Sequence, residues 1–389
     1  MIFPCYFQKN VILLFNSVCN TNIEKREMTV KKLLLFALAI TLSFVSCKTE
    51  KQVYGELISS PVPEIVEHAT AATTATVTNT ASTEDDIREY ISVLASNSMQ
   101  GRMSASPYEA LAAEYIKEKF ESLGLKSFND NYYQKFPVTS VGYFDKPASG
   151  GYKGDYPSMK VETGSSQNVV AYLETNDLTH EGEYIMIGAH YDHIGTKTVG
   201  DTVLINNGAD DNASGTAGLL ELAKKLCSTK NLKYNIIFTA FGAEEKGLIG
   251  SRYFCNNPPV PIEKIKLMIN MDMIGRMNPS NRFYISTIKP NIQLNALVDV
   301  IKKSHPDVDA VVSYDDYLRG TDHTPFYMKH VPVMSFTTGL HSAYHTPADT
   351  IGSINWKGEK QVLDFIYDLV ISPEMDNCIF SFTLSAQNP

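Results

Sequence analysis

Five side chains of the types that bind metal ions recur along this 389-residue chain, each shortly after an apolar run. They are His190 in GAHYDHIG, Asp211 in GADDNASG, Glu245 in FGAEEKG, Asp272 in NMDMIG and His345 in YHTPADT. Two divalent ions bound close together need one carboxylate that bridges them, plus an imidazole and a further carboxylate for each ion. The five residues provide that set, and Glu244 beside Glu245 adds a carboxylate suited to act as general base. The sequence therefore predicts a two-metal hydrolytic site.

The segments that must position these residues alternate between strand-like and helix-like patterns from Asn168 onward. Short apolar runs predict strands at Val169–Leu173, Tyr184–Ile187, Tyr234–Phe241, Lys266–Asn270, Phe283–Ile285 and Val333–Phe336. Helical spacing of apolar residues predicts helices at Ser214–Leu226, Ile292–Lys303 and Trp356–Val370. Such alternation predicts an α/β fold, with a mostly parallel central sheet and helices on both faces.

The position of the metal-binding residues agrees with this fold. His190, Glu244, Glu245 and Asp272 each follow the end of a predicted strand. In open α/β sheets, ligands bind beyond the carboxyl ends of the strands. The predicted metal site is therefore at the carboxyl-terminal edge of the sheet.

Two helices and a hairpin are predicted ahead of this alternating region. Ordered structure is expected from about Asp85, where apolar residues recur at helical spacing, and a second helix is expected over Tyr108–Leu123, between Pro107 and Gly124. The Tyr- and Gly-rich segment Asn129–Ser166 is expected to form a hairpin at the edge of the sheet.

The strings GAHYDHIG, GADDNASGTAGLLELA, FTAFGAEEKGLIGS, NMDMIG and YHTPADT, in this order, resemble the co-catalytic di-zinc exopeptidase family. This family contains secreted leucyl aminopeptidases, glutamate carboxypeptidase and glutaminyl cyclase, and its fold is of the phosphorylase/hydrolase-like kind. The resemblance extends from about Asp85 to Val370. It implies two Zn²⁺ ions as cofactors, one of whose sites could accept another divalent metal.

Residue by residue, the resemblance implies roles for the motif positions. Each of His190, Glu245, Asp272 and His345 would bind one zinc ion, and Asp211 would bridge both. Glu244 would be the general base, Asp192 would orient His190, and the Asp211–Asn212 peptide bond would be cis. Asp210 is interpreted as structural.

Three further positions are weaker candidates. Tyr344 precedes His345 and matches a tyrosine that stabilises the carbonyl oxygen in some relatives, although a packed aromatic residue is the alternative. Asp322 in GTDHTPF resembles a family residue that supports the site from behind a ligand or near the substrate. His193 and His341 flank the ligand motifs, but nothing in the sequence requires them to touch metal.

These observations predict a zinc exopeptidase that most resembles an aminopeptidase acting on peptide substrates. Glutaminyl-peptide cyclisation, carboxypeptidase action on acidic peptides and a non-catalytic receptor-like role remain alternatives. The chain has no Gly-x-Ser-x-Gly elbow, no His-Glu-x-x-His helix and no phosphate-binding loop, which excludes the corresponding hydrolases and nucleotide enzymes. The residues of a specificity pocket are not assigned, and the segments Ser313–Arg319 and Phe336–Ala343 are candidates for it.

The N-terminal residues are typical of a targeting signal rather than of a folded domain. Lys31-Lys32, the apolar run Leu33–Val45 and Cys47 resemble a bacterial lipoprotein signal, in which Cys47 would carry the lipid. We therefore expect a signal region at 1–47, of which 1–27 could be an over-extended start and 28–47 the signal itself. A Thr- and Ala-rich tether at 48–83 and a peptidase domain at 84–389 would follow. The protein is expected to be exported and anchored to a bacterial membrane, facing the periplasm or the cell surface.

The charge balance argues against nucleic-acid partners. The formal net charge is −9, and removal of residues 1–46, with five basic and two acidic side chains, changes it to −12. A domain this acidic repels a polyanion.

Overall fold

The computed structural model describes residues 84–142, 160–314 and 320–377. The predicted signal region at 1–47, with Cys47, and the predicted tether at 48–83 lie outside the described residues. Within the described part of the chain, no helix has both the length and the apolar character needed to cross a membrane.

One eight-stranded sheet forms the centre of the domain. Ten strands are present in the described residues: β1 Tyr133–Gly142, β2 Lys160–Leu173, β3 Tyr184–His190, β4 Thr196–Val199, β5 Thr202–Ile205, β6 Asn235–Phe241, β7 Ile265–Met271, β8 Arg282–Ser286, β9 Asp309–Ser313 and β10 Val333–Thr337. The large sheet has the order β1-β2-β6-β3-β7-β10-β8-β9, while β4 and β5 form a separate hairpin. The pairs β6–β3, β3–β7, β7–β10 and β8–β9 are parallel. The β1–β2 hairpin lies at one edge, as predicted.

Seven α-helices are present in the same residues: α1 Glu84–Leu94, α2 Pro107–Ser122, α3 Gly215–Cys227, α4 Ile249–Asn256, α5 Ile292–Lys302, α6 His323–Met328 and α7 Trp356–Ile371. Two of these helices begin at a side chain that caps their first turn. The Ser106 side chain accepts a hydrogen bond from the Glu109 amide ahead of α2, and the Asn355 side chain accepts one from the Gly358 amide ahead of α7. Such caps satisfy amides that the first helical turn leaves without a carbonyl partner.

Alternate residues of the central strands face two different helical layers. On β7, Leu267, Ile269 and Met271 belong to the larger apolar core, together with residues of α1, α3 and α7. Met268 faces the opposite core, with Phe254 of α4 and others from α6. Both faces of the sheet are therefore covered, and the predicted fold class is confirmed.

The predicted strands and long helices are found within a few residues of their predicted bounds, except that β2 begins at Lys160, nine residues before the predicted start at Val169. The β4–β5 hairpin, β9, α4 and α6 have no counterpart among the sequence predictions. β4 and β5 are largely exposed and carry no alternating apolar pattern. α4 and α6 contain eight and six residues, which is too short for helical periodicity to stand out.

Candidate active site

Three neighbouring strands deliver four of the predicted residues to one edge of the sheet. β6, β3 and β7 are adjacent, and His190 is the last residue of β3. Asp272 directly follows β7, and Glu244 and Glu245 follow β6 by a few residues. Between them, Ala243 has a left-handed backbone with φ of 56°, which turns the chain sharply after the strand. The strand ends thus bring together residues that are far apart in the sequence.

Asp211 comes from the loop that precedes α3, and buried side chains hold this loop from two sides. The Asp349 carboxylate accepts hydrogen bonds from the backbone amides of Asp210, at 3.1 Å, and Asp211, at 3.0 Å. The Asn212 side-chain oxygen accepts from the amides of Gly215 and Met273. The Asp211–Asn212 peptide bond is cis, as predicted.

Two groups of potential metal ligands share Asp211. In the first, His190 Nε2 lies 3.4 Å from Asp211 Oδ1 and 3.6 Å from Asp272 Oδ1. In the second, His345 Nε2 lies 3.1 Å from Asp211 Oδ2 and 3.2 Å from Glu245 Oε2. Tetrahedral zinc with bonds of about 2.0–2.2 Å would separate its ligand atoms by about 3.3–3.6 Å. The five side chains therefore fit a pair of zinc ions, with one oxygen of Asp211 directed to each group.

The charges of these side chains support this interpretation. Burial alone would lower the pKa of His190, but Glu244, Asp211 and Asp272 together raise it well above its usual value. Burial would also lower the pKa of the His345 imidazole, but Asp211 and Glu245 raise it to about 10. A metal ion must displace these protons, so that metal binding should strengthen as the pH rises.

His193 is a fourth member of the second group, and the sequence motifs did not assign it to the metal site. Its Nδ1 lies 2.9 Å from Glu245 Oε1 and 3.6 Å from Asp211 Oδ2, and the residue is fully buried. Its Nε2 has no hydrogen-bond partner among the described residues. If Nδ1 carries the proton and donates it to Glu245, Nε2 keeps only a lone pair. If Nδ1 instead bound a metal ion, the proton would be on Nε2, and this buried N–H group would have no acceptor. The first arrangement, in which His193 supports Glu245, therefore fits better. In the sequence, the only indication of this contact was that His193 is the second His of the HYDHIG motif.

Asp192 lies beside His190, but its contacts differ from the expected ones. His190 Nδ1 lies 3.2 Å from the Asp192 carbonyl oxygen and 3.8 Å from its carboxylate, beyond hydrogen-bonding distance. The carboxylate instead accepts from the amides of Glu244 and Glu245 and from the Ser104 hydroxyl. Asp192 therefore fixes the His190 tautomer through its backbone and positions both glutamates through its side chain.

Glu244 lies in the cavity beside the metal-binding groups, as a general base must. Burial raises its pKa well above the usual value, and the carboxylates of Asp322 and Asp272 add to the rise, against His190. Nearby divalent cations would oppose this rise and favour the ionised base.

Asp322 is fully buried behind Glu244, and neither of its carboxylate oxygens has a hydrogen-bond partner among the described residues. Burial raises its pKa to about 7. The Asp322 carboxylate is also one cause of the raised pKa of Glu244.

A cavity of about 260 Å³ opens onto the metal-binding groups, and Tyr344 lines it together with Glu244. The Tyr344 ring stacks on the His345 ring with centroids 3.8 Å apart. The residue therefore packs against a ligand and also faces the space where a substrate would bind. Thr337, Gly339 and Leu340 line the same cavity, while residues 315–319 of the other candidate pocket segment lie outside the described residues.

Arg102 is a further residue that the motifs did not reveal. It is fully buried, and its guanidinium donates to the backbone carbonyls of Leu94, Tyr191, Asn207 and Gly208. Burial lowers its pKa to about 10, although Asp211 and Asp192 oppose the change. The guanidinium thus provides a fixed positive charge behind the carboxylates and ties α1 to the loop ahead of Asp211.

The chain is similar in sequence to a peptidase family and to several known proteins. The model of peptidase family M28 matches residues 168–370. Aminopeptidase YwaD of Bacillus subtilis is 27% identical over 59% of this chain and 50% of its own length. An uncharacterised protein, YfbL of Escherichia coli, is 28% identical over 67% and 79%, and a probable leucine aminopeptidase of Arthroderma otae is 26% identical over 73% and 80%. The chain thus spans half the length of the first relative and about four fifths of the other two.

Solved structures share the fold at lower identity. A zinc aminopeptidase from Bacillus subtilis superimposes with a TM-score of 0.59 and 18% identity, over 75% of this chain and 95% of that one. Porphyromonas gingivalis glutaminyl cyclase superimposes with a TM-score of 0.54 and 17% identity, over 74% and 97%.

Proposed function

The chain belongs to peptidase family M28, and we propose that it is a zinc-dependent aminopeptidase that releases N-terminal residues from peptides. The observation that carries this proposal is the pair of ligand groups that share Asp211, next to a cavity that contains Glu244. The names of relatives that are aminopeptidases support it.

In this proposal His190, Asp211 and Asp272 hold one zinc ion, and Asp211, Glu245 and His345 hold the other. Bound there, the ions would supply Lewis acidity toward a peptide carbonyl and a water molecule. Glu244 takes a proton from the attacking water and returns it to the leaving amine. Tyr344 donates a hydrogen bond to the developing negative charge on the carbonyl oxygen. Asp192 keeps Glu244 and Glu245 in place through their backbone amides.

The test is a hydrolysis screen with free-amino aminoacyl amides, the same peptides with blocked amines, and peptides that begin with Gln. Purified protein should act only on the free amines, and the activity should disappear with a chelator and return with Zn²⁺. Glu244→Gln should lower kcat about 10²- to 10⁴-fold while the zinc content stays unchanged. Full activity in either the chelated protein or this variant would contradict the mechanism.

The same screen separates the alternatives. Glutaminyl cyclisation would convert N-terminal Gln into a cyclised product without releasing an amino acid. Carboxypeptidase action would shorten acidic peptides from the other end, with or without a blocked amine. Zinc binding without turnover of any peptide would favour a receptor-like role.

We also propose that the protein is exported and anchored through lipid on Cys47, with 48–83 as a tether. The Lys31-Lys32 pair, the apolar run that follows it and the small Ser46 before Cys47 support this. Mass spectrometry of the membrane fraction should find a diacylglyceryl group on Cys47, and Cys47→Ser should release activity into the soluble fraction. An unmodified Cys47 on a membrane-bound protein would refute the anchor.

A further inference from the structure

A row of polar side chains crosses three neighbouring strands just below the metal-binding groups. Ser335 of β10 pairs in register with Asn270 of β7 on one side and with Ser286 of β8 on the other. Residues paired in this way project from the same face of a sheet. Asn270, Ser335 and Ser286 are all almost fully buried.

The row marks a change of polarity along each strand. Two residues earlier on the same face, Met268 and Val333 belong to the apolar core under α4 and α6. Two residues later, β7 continues into Asp272, which is one of the proposed zinc ligands. The polar row therefore separates the apolar core from the metal site and lies at the wall of the cavity.

The hydroxyl groups at this level have protons to donate. The Asn270 amide donates to Thr321 Oγ1, at 3.1 Å, and to Ser335 Oγ, at 3.4 Å. Ser286 Oγ accepts from the Ile288 amide. Each of the three hydroxyls thus acts as an acceptor, but no hydrogen bond among the described residues uses its proton. All three hydroxyl residues line the cavity.

Asn270 itself lies behind this lining. Its side-chain oxygen is buried and has no partner among the described residues. With the amide nitrogen facing Thr321 and Ser335, as in this structure, Asn270 uses neither of their hydroxyl protons. An unpaired buried amide is costly unless a ligand or a partner that reaches it repays the cost. Asn270 therefore fits a residue that orients Thr321 and Ser335 toward a polar guest.

The charges around the cavity determine which polar guest fits. Asp211, Glu244 and Asp272 line it, and no Lys or Arg is present among its described lining residues. A carboxylate on the guest would lie beside the Glu244 carboxylate and would meet no Lys or Arg side chain among these lining residues. A neutral side chain with an acceptor oxygen meets three hydroxyl donors instead.

From this arrangement we propose, resting on the proposed aminopeptidase function, that the first residue of the substrate carries a neutral polar side chain. The neutral polar side chains are those of Asn, Gln, Thr and Ser. Their oxygen atoms would accept hydrogen bonds from the hydroxyls of Ser286, Thr321 and Ser335. The pocket thereby discriminates against aliphatic residues of the same shape, because these would bury the three hydroxyl protons without acceptors.

The experiment compares kcat/KM for pairs of free-amino aminoacyl amides that differ in polarity but hardly in shape. Wild-type protein should cleave the Asn substrate faster than the Leu substrate and the Thr substrate faster than the Val substrate. The Asp substrate, which has the shape of Asn with a charge, should be poorer than Asn. Each hydrogen bond gained should favour the polar member about threefold to tenfold.

Two single variants and a control assign the preference to the row. Ser286→Ala and Ser335→Ala should each lower the Asn/Leu ratio about threefold to tenfold, without a change in zinc content. Thr239→Val is the matched control, because Thr239 is a buried hydroxyl residue of the same sheet that does not line the cavity. Its ratio should equal that of the wild type.

The outcomes distinguish this inference from the function on which it rests. Hydrolysis of no free-amino substrate would refute the aminopeptidase proposal. Hydrolysis that is faster for Leu and Val than for Asn and Thr would leave that proposal intact and overturn the polar pocket. Because the wild-type ratios alone decide this point, a variant that fails to fold does not affect the test. The polar pocket would also be overturned if Thr239→Val lowered the Asn/Leu ratio as much as the two serine variants do.

Discussion

Replacing Asp349 by Ala tests whether the loop ahead of α3 holds Asp211 in place. The buried carboxylate accepts from the amides of Asp210 and Asp211 at 3.0–3.1 Å, and both amides lie out of contact with solvent. Hydrogen bonds to a charged group contribute about 1.5–3 kcal/mol each. Loss of two of them, partly offset by removing a charge close to Asp210, should lower the free energy of unfolding by about 3 kcal/mol. The affinity of the displaced Asp211 for zinc should fall about 10- to 100-fold.

Urea unfolding with excess zinc and with chelator gives the stability, and competition with a chromophoric chelator gives the affinity. Asp349→Asn retains one acceptor oxygen and should lie between the wild type and Asp349→Ala in both measurements. Asp364→Ala is the control, because Asp364 pairs with Lys225 and Lys360 in a partly exposed position and should cost at most about 1 kcal/mol. If Asp349→Ala matched this control in stability and bound zinc as the wild type does, the proposed grip on Asp211 would be wrong.

Three further substitutions give distinct results. Tyr344→Phe keeps the stacking on His345 but removes the hydroxyl, and should lower kcat about 10²- to 10³-fold with unchanged zinc content; an unchanged kcat would leave Tyr344 as a packing residue. His193→Asn keeps an N–H donor for Glu245 and should bind zinc within a few-fold of wild type, whereas His193→Leu should bind it about 10- to 100-fold more weakly; equal losses in chelator competition would show that the imidazole itself is a ligand. Burial lowers the pKa of His323 in the folded protein to about 3, whereas a histidine in the unfolded chain has a pKa of about 6.5. As the pH falls from about 6.5 to about 3, the unfolded chain therefore binds a proton that the folded protein does not, and the folded state loses stability. His323→Leu should therefore lose less stability than the wild type between pH 7 and pH 4.5 in urea titrations, and equal losses would contradict this origin.

The sequence predicted the place of the candidate site because two of the proposed ligands directly follow buried strands. His190 and Asp272 occur where an apolar run stops, and the parallel pairing of β6, β3 and β7 places such positions side by side. Helical periodicity was sufficient for the long helices, and short apolar runs were sufficient for the central strands. Periodicity failed for α4 and α6, whose one or two turns contain too few apolar positions to establish a period.

The supporting residues were harder to predict, since their partners lie far away in the chain. His193 contacts Glu245, and Asp349 contacts the Asp211 amide, across loops that only the folded sheet brings together. Asp192 was expected to orient His190, and its backbone carbonyl does contact that imidazole; the contacts of its carboxylate with the Glu244 and Glu245 amides were not foreseen. The polar row was invisible for the same reason, because register between strands cannot be read from a single strand.

The scattered origin of the ligands has a consequence for how long the protein survives. His190, Asp211, Glu245, Asp272 and His345 come from five separate segments between β3 and α7, so that a pair of bound ions ties together most of the sheet edge. Ligands that bind only the folded state raise its stability in proportion to the logarithm of their concentration. Scarcity of zinc would then lead to local opening and proteolysis of the protein itself, and its half-life would follow the supply of metal in its surroundings.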